Sequence, residues 1–374
     1  MTPTPVLLDC DPGIDDALAI AYLVAEHLAG SIDLAGLVCT AGNVGLDDTV
    51  RNALAWLDLS GAPEFPVSAG AGGAIAVPHV YTPETHGPRG AGYADLATAW
   101  TSSTATNQTT TGTTAGAITG AITGTTTETT TETTTGTTTR SVDPRDGARL
   151  WVDTARAHPG ELVGIVTGPS STLAHALALD PALPSLLRRL VVMGGTFRGH
   201  PGNTTPVSEW NVDVDPEAAD GVCLAWEAAR AADPAVAPLL WCGLNLTERA
   251  VWTPERSERL LAQSDTSLTR SLVDALRFYF EFHESVGEGY LAQVHDPLVA
   301  WLALRPHEVI AAPAHLRVEC AGVHTRGMTV ADTRGHRGRP DNARIATDLR
   351  VPGGADAVLD EICASIVSLA GPSR

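Results

Sequence analysis

Residues 6–17 read VLLDCDPGIDDA, and the fold is decided there. Val6, Leu7 and Leu8 open a short buried strand, Pro12 and Gly13 turn the chain, and an amphipathic helix over about residues 15–27 follows. The same grammar repeats downstream. IDLAGLVCT (32–40) is a second buried strand, ending in the loop Ala41-Gly42-Asn43 ahead of a helix through residues 50–59. ELVGIVTG (161–168) is followed by a helix after Ser170, and RLVVMGG (189–195) and AVAPLLWCG (235–243) add further strands. Apolar runs without polar alternation, separated by helices, imply an α/β fold with an open, mostly parallel sheet covered by helices on both faces. Ligands of such sheets bind at the carboxyl ends of the strands, where Asp9, Asp11, Asn43 and Thr167 all fall. Beyond about residue 305 the shorter runs HLRVEC, GMTVAD and ARIATDL, with a last helix near 355–369, are expected to extend an edge of the same domain.

One domain is expected over residues 1–374, interrupted at 101–140 by a tract more than half threonine. That tract has no apolar periodicity and cannot bury enough surface to offset its ordering entropy, so a disordered surface insertion is expected. The formal net charge of −19 argues against nucleic acid or an anionic membrane as partner. No apolar stretch is long enough to span a bilayer and no leader pattern opens the chain, so a cytoplasmic protein is expected. Six cysteines without a CxxC pair suit reduced, buried thiols. The sequence contains no lysine, which excludes Schiff-base chemistry, pyridoxal phosphate anchoring and the P-loop lysine.

Three constellations carry chemistry. Asp9, Asp11, Asp15 and Asp16 crowd one strand-loop-helix junction. A helix start stabilises each acid by only about 0.3–1 kcal/mol, so a cation among them is the economical explanation. Oxygen-only ligands favour Ca²⁺ or Mg²⁺ over Zn²⁺. Val294-His295-Asp296-Pro297 precedes an apolar helix, either as a site segment or as an ordinary helix start with Pro at its first position. Gly202-Asn203 and Ser208-Glu209-Trp210-Asn211-Val212-Asp213 offer dense hydrogen-bonding groups that suit a polyhydroxylated ligand or a polar surface loop.

Together these segments resemble the nucleoside hydrolase family, the inosine-uridine preferring type in particular. Its DxDPGxDDA signature is matched by Asp9, Asp11, Pro12, Gly13, Asp15, Asp16 and Ala17. The likeness continues through Gly42-Asn43, Val50-Arg51-Asn52-Ala53, Thr167-Gly168, VVMGG at 191–195, GNTTPVSEWNVDVDPEAA at 202–219, VHDPL at 294–298 and RGMTVAD at 326–332. The resemblance implies hydrolysis of the N-glycosidic bond of a ribonucleoside and one Ca²⁺ held by Asp11, Asp15, Asp16, Asp296 and the Thr167 carbonyl. It implies Asn43, Asn203, Glu209 and Asn211 on the ribose, Asp11 as general base, His295 as the candidate acid for the leaving base, and a homo-oligomer, dimer or tetramer. Base preference would rest on His86 and on the helix carrying Phe280, Phe282, His283 and Tyr290. Departures from the family are Arg89 inside the glycine-rich segment after His86, and the loss of an asparagine after Thr167-Gly168-Pro169.

Two other readings compete. An apolar run ending in DxD is also the nucleophile motif of haloacid-dehalogenase-type phosphatases, with Asp9 attacking phosphorus. There Thr or Val follows the second acid and a lysine comes later, whereas Pro12 follows here and lysine is absent. A non-catalytic nucleoside- or ribose-binding protein on the same scaffold would need the ligands but not the general base.

Overall fold

A computed structural model describes residues 3–96 and 140–369. In chain order these form β1 (Thr4–Cys10), α1 (Ile14–Leu28), β2 (Ile32–Cys39), α2 (Leu46–Leu59), β3 (Val67–Ala69), α3 (Pro83–His86), α4 (Gly147–Ala157) and β4 (Leu162–Val166). Next come α5 (Ser171–Leu179), α6 (Leu183–Leu186), β5 (Leu187–Met193), α7 (Trp210–Val214), α8 (Pro216–Ala232), β6 (Leu239–Cys242), α9 (Leu244–Thr247) and β7 (Val251–Trp252). The chain ends with α10 (Pro254–Gln263), α11 (Ser267–Ser285), β8 (Ala292–Gln293), α12 (His295–Leu304), β9 (Val309–Val318), β10 (Thr329–Asp332), β11 (Ala343–Leu349) and α13 (Gly354–Ser368).

Among the described residues the main sheet has nine strands in the order β10-β9-β11-β6-β5-β4-β1-β2-β3. The run from β11 to β3 is parallel throughout, and only β9 and β10 pair antiparallel at one edge. The expected open parallel sheet and its C-terminal edge extension are both present. The three-residue β3 has too few residues to show a period and was not anticipated.

Six consecutive residues of β1, Pro5–Cys10, are buried, because helices cover both faces of the sheet. On one face α1, α2, α11, α12 and α13 share a core with Leu8, Trp56 and Trp301; on the other α4, α5 and α8 close over Leu7, Trp151 and Trp226. Helix α1 is buried all round from Ile14 to Ala25, so truncating Leu18 to alanine should cost about 2–5 kcal/mol. It ends where Gly30, at φ 75°, lets the Gly30 and Ser31 N–H groups cap the His27 and Glu26 carbonyls. All six cysteines are free thiols, four of them buried.

The expectation for residues 101–140 falls outside the described residues except at Arg140. That side chain belongs to the fold: it bonds Asp58 at 2.5 Å and lies over the Phe65 ring. No helix among the described residues is long and apolar enough to cross a membrane.

Candidate active site

The carboxyl ends of β1, β2, β4 and β5 surround a cavity of about 470 Å³. Asp11, one residue beyond β1, lies on its floor and is buried. The Asn43 N–H, just beyond β2, donates to Asp11 Oδ2 at 2.8 Å, and Asn43 Nδ2 donates to the Asp11 carbonyl at 3.2 Å. Asp15 and Asp16 occupy the first turn of α1, and Asp296 that of α12. The two-residue ladder between β7 and β8, with the Val294 N–H on the Ala250 carbonyl, fixes where α12 begins. As a result, the buried carboxylate oxygens of Asp15, Asp16 and Asp296 lie within 4.8 Å of one another. Hydrogen bonds orient the α1 acids: Gly13 N–H and Thr167 Oγ1 both donate to Asp16 at 2.9 Å, and His295 N–H to Asp15 at 3.1 Å.

Three ionised carboxylates at that spacing repel by about 3–4 kcal/mol per pair at an effective dielectric near 20. Two helix starts offset only about 0.3–1 kcal/mol each. Burial first, and neighbouring carboxylates second, therefore push Asp11, Asp15 and Asp296 above the ordinary range, and burial also raises Asp16. The donor set is all oxygen, with Asp11 and Thr167 beside it in the cavity wall, and it fits a hard divalent cation.

Asp9 does not belong to this group. It lies within β1, fully buried, and its oxygens take Thr40 Oγ1 at 2.7 Å and Trp151 Nε1 at 2.8 Å from the far side of the strand. Of the four acids at the N-terminal junction, Asp9 is therefore turned away from the cavity, whereas Asp296 joins Asp15 and Asp16. Sealed beneath α4, Asp9 has no access to a phosphorus atom, so the phosphatase reading fails.

A second wall comes from the segment after β5. Glu209 caps α7, accepting the Gly195, Asn211 and Val212 N–H groups at 2.8, 2.9 and 3.2 Å. Burial still raises its carboxyl to about 7 against these bonds. Asn211 Nδ2 reaches the Thr167 carbonyl at 2.6 Å, and Asn203 Oδ1 takes the Trp210 N–H at 3.0 Å. Asn43, Asn203, Glu209 and Asn211 therefore all face one cavity.

The third wall is aromatic. His86, last residue of α3, accepts the Ile14 N–H on Nδ1 at 3.1 Å, which places its proton on Nε2. Gly13 permits this approach, since a Cβ there would sit 2.7 Å from His86 Nδ1 and 2.6 Å from Asn43 Nδ2. His283 donates Nδ1–H to the Tyr279 carbonyl at 2.8 Å and receives the Gln293 N–H on Nε2 at 3.4 Å. His295 has Nδ1 on Thr247 Oγ1 at 3.0 Å, and the same hydroxyl can donate to the Gly243 carbonyl at 3.3 Å. Burial lowers His86 and His295 to about 3, so both imidazoles are neutral at pH 7.

Phe280 is a correction. It is 3% exposed, packs in the core and has its ring 5.4 Å from that of Tyr290, away from the cavity. The lining residues of α11 are Tyr279, Phe282 and His283, with Val286 just past its end, an i, i+3, i+4, i+7 stripe from which Phe280 is displaced by about 100°. Anchoring the helical phase on His283 would have found Tyr279. Arg89 is also turned away: it is exposed, 3.6 Å from Asp48, and among the described residues no arginine lines the cavity.

An acidic floor, an amide-rich wall and an aromatic wall at the carboxyl ends of a parallel sheet suit a polyhydroxylated ligand that carries a planar group. The family profile described as inosine-uridine preferring nucleoside hydrolase matches residues 6–354, and the chain belongs to that family. Its reaction is hydrolysis of ribonucleosides to base and ribose. The pyrimidine-specific ribonucleoside hydrolase RihA of Citrobacter koseri is 29% identical over 361 residues, covering 96% of this chain and 97% of that protein. RihA of Shewanella woodyi is 29% identical over 363 residues, with 96% and 97% covered. In fold the chain is similar to the purine-preferring ribonucleoside hydrolase from Gardnerella vaginalis, with TM-score 0.77, 24% identity and 98% and 99% of the two chains covered. A plant nucleoside hydrolase gives TM-score 0.74 at 23% identity, with 99% and 100% covered.

Proposed function

We propose that Asp11, Asp15, Asp16, Asp296 and the Thr167 carbonyl hold one Ca²⁺, and that Asp11 is the general base for the water that attacks C1′ of the ribose. When bound, the cation neutralises the acidic floor and acidifies water in its shell. The observation behind this reading is the position of Asp11: buried, fixed at Oδ2 by Asn43, and open to the cavity beside the other three acids.

Asn43, Asn203, Glu209 and Asn211 orient the ribose hydroxyls. Water oxygen bonds to C1′ as the C1′–N bond breaks, its proton passes to Asp11, and the bonding pair leaves with the base through an oxocarbenium-like transition state. His295 is the acid. Neutral at rest, it draws a proton from solvent onto Nε2 as negative charge develops on the base beside it, because a nearby anion favours imidazolium, and passes that proton to the departing base nitrogen. Thr247 holds Nδ1, so the proton is delivered from Nε2. Tyr279, Phe282, His86 and His283 bracket the planar base. The names of the curated relatives favour pyrimidine nucleosides as first substrates. Metal content by mass spectrometry tests the floor: one Ca²⁺ per wild-type chain, lost in Asp296→Asn together with base release. Equal metal in both proteins contradicts the assignment.

A further inference from the structure

At the opposite edge of the sheet, the amino ends of β1, β2, β4 and β5 enclose a second cavity of about 310 Å³. Arg188, Arg189 and Arg305 line it, with Glu26 the one acid among its lining residues. We propose that this cavity is a binding site for a phosphate group, free or esterified.

The arrangement of the arginines is built into the strand. Consecutive residues of a regular strand point to opposite faces. Here the pairing of β4 with β5 skips a residue: Leu162 faces Leu187, and Val163 faces Arg189, which leaves Arg188 as the extra residue of a bulge. Bulges re-aim side chains, and this one brings two adjacent guanidinium groups to one cavity. Their proximity is also felt electrostatically: burial lowers Arg189, and Arg188 lowers it further.

The two cations are offset in part by Glu26 and by the carboxyl ends of α1 and α12, none of which is an ion-pair partner. Arg189 Nη1 donates to the Ala303 carbonyl at 2.8 Å, near the carboxyl end of α12. Neither Arg188 nor Arg189 forms an ion pair among the described residues. Capping α12 accounts for Arg189 but not for Arg188, and the carboxyl ends of α1 and α12 together supply about one negative charge. Arg305 is occupied by Tyr22 and by Glu361 at 3.8 Å. In a chain with net charge −19 and no lysine, two adjacent guanidiniums without a carboxylate partner, Arg188 exposed and Arg189 half-buried, stand out against their surroundings. Guanidinium forks match phosphate oxygens in bidentate fashion, and the Thr4 and Ser31 hydroxyls line the same space. Helices α1 and α12, whose amino ends carry Asp15, Asp16 and Asp296, present their carboxyl ends here.

Calorimetric titration of the full-length protein with glycerol 3-phosphate and with inorganic phosphate, at fixed ionic strength, tests the site. The expected result is saturable binding of at least one probe, weakened at least about tenfold in Arg188→Gln, as expected for loss of a charge-assisted contact. The relative affinities of the probes distinguish ester from free phosphate. Arg188→Gln should hydrolyse uridine at the wild-type rate, because the residue is exposed and remote from the catalytic cavity, so the outcome is independent of the catalytic reading. Absence of saturable binding to wild type, or equal affinity in wild type, Arg188→Gln and Arg189→Gln, overturns the proposal.

Discussion

Gly42→Ala tests the placement of Asp11 without altering its chemistry. A Cβ at residue 42 would lie 1.9 Å from Asp11 Oδ2, 2.6 Å from its Cγ and 2.8 Å from its Cβ. Side-chain carbons do not approach within about 3 Å of such atoms, so the carboxylate has to move by about 1 Å. That motion breaks the bond from the Asn43 N–H, a charge-assisted contact worth about 1.5–3 kcal/mol. A misplacement of about 1 Å at a reacting group costs about 10²-fold in rate. Uridine kcat/KM should therefore fall about 10²-fold, with a modest drop in Tm. Gly45→Ala is the control, since its nearest neighbour, Tyr81 Oη, would be 3.9 Å away. It should behave as wild type. A folded Gly42→Ala enzyme with undiminished kcat/KM would refute the claim that Asp11, held in this position, is the base.

His295→Ala should slow uridine and inosine far more than p-nitrophenyl riboside, whose leaving group departs without protonation; equal losses would make His295 structural. Cation binding should depend on pH. Burial pushes Asp15 from near 3.9 to about 7, so between those values the folded, cation-free protein holds a proton that the unfolded chain has released. Its stability contribution therefore falls as pH rises through that window, while a cation that needs the ionised form stabilises increasingly. The Tm gain on adding Ca²⁺ should be larger at pH 8 than at pH 5, and a larger gain at pH 5 would sink the metal assignment. Deleting residues 101–139, which spares Arg140 and its bond to Asp58, should leave Tm and uridine kcat/KM close to wild type, and an unfolded product would contradict the reading of that tract as an insertion.

Much of this was legible before any coordinates. The signature around Asp11 is readable because strand, turn and helix start are each encoded within a dozen adjacent residues. His295-Asp296 lies some 280 positions away from Asp15, and its Asp-Pro start alone reads equally as an ordinary helix start; only the family resemblance aimed it at the same place. What sequence could not settle was orientation. Asp9 and Asp11 look equivalent in LDCD, but Asp9 is inside the strand and is claimed by Thr40 and Trp151, a partnership between residues 142 positions apart. Likewise FYFEFH offers aromatics on several sides of α11, and only tertiary contact shows that Tyr279 and Phe282 face the cavity while Phe280 fills the core. The tautomers of His86 and His283 are set by backbone groups far away in sequence or by helix geometry, which no local pattern carries.

The most direct test of the account is ribose release in phosphate-free buffer with Ca²⁺, measured by reducing-sugar assay alongside free base, from cytidine, uridine and inosine. Wild-type protein should release ribose and base in equal amounts from at least one of them, and Asp11→Asn should be slower by roughly 10²–10⁴-fold on every substrate accepted. Wild-type protein that releases no ribose, or an Asp11→Asn variant that releases it at the wild-type rate, would contradict the account.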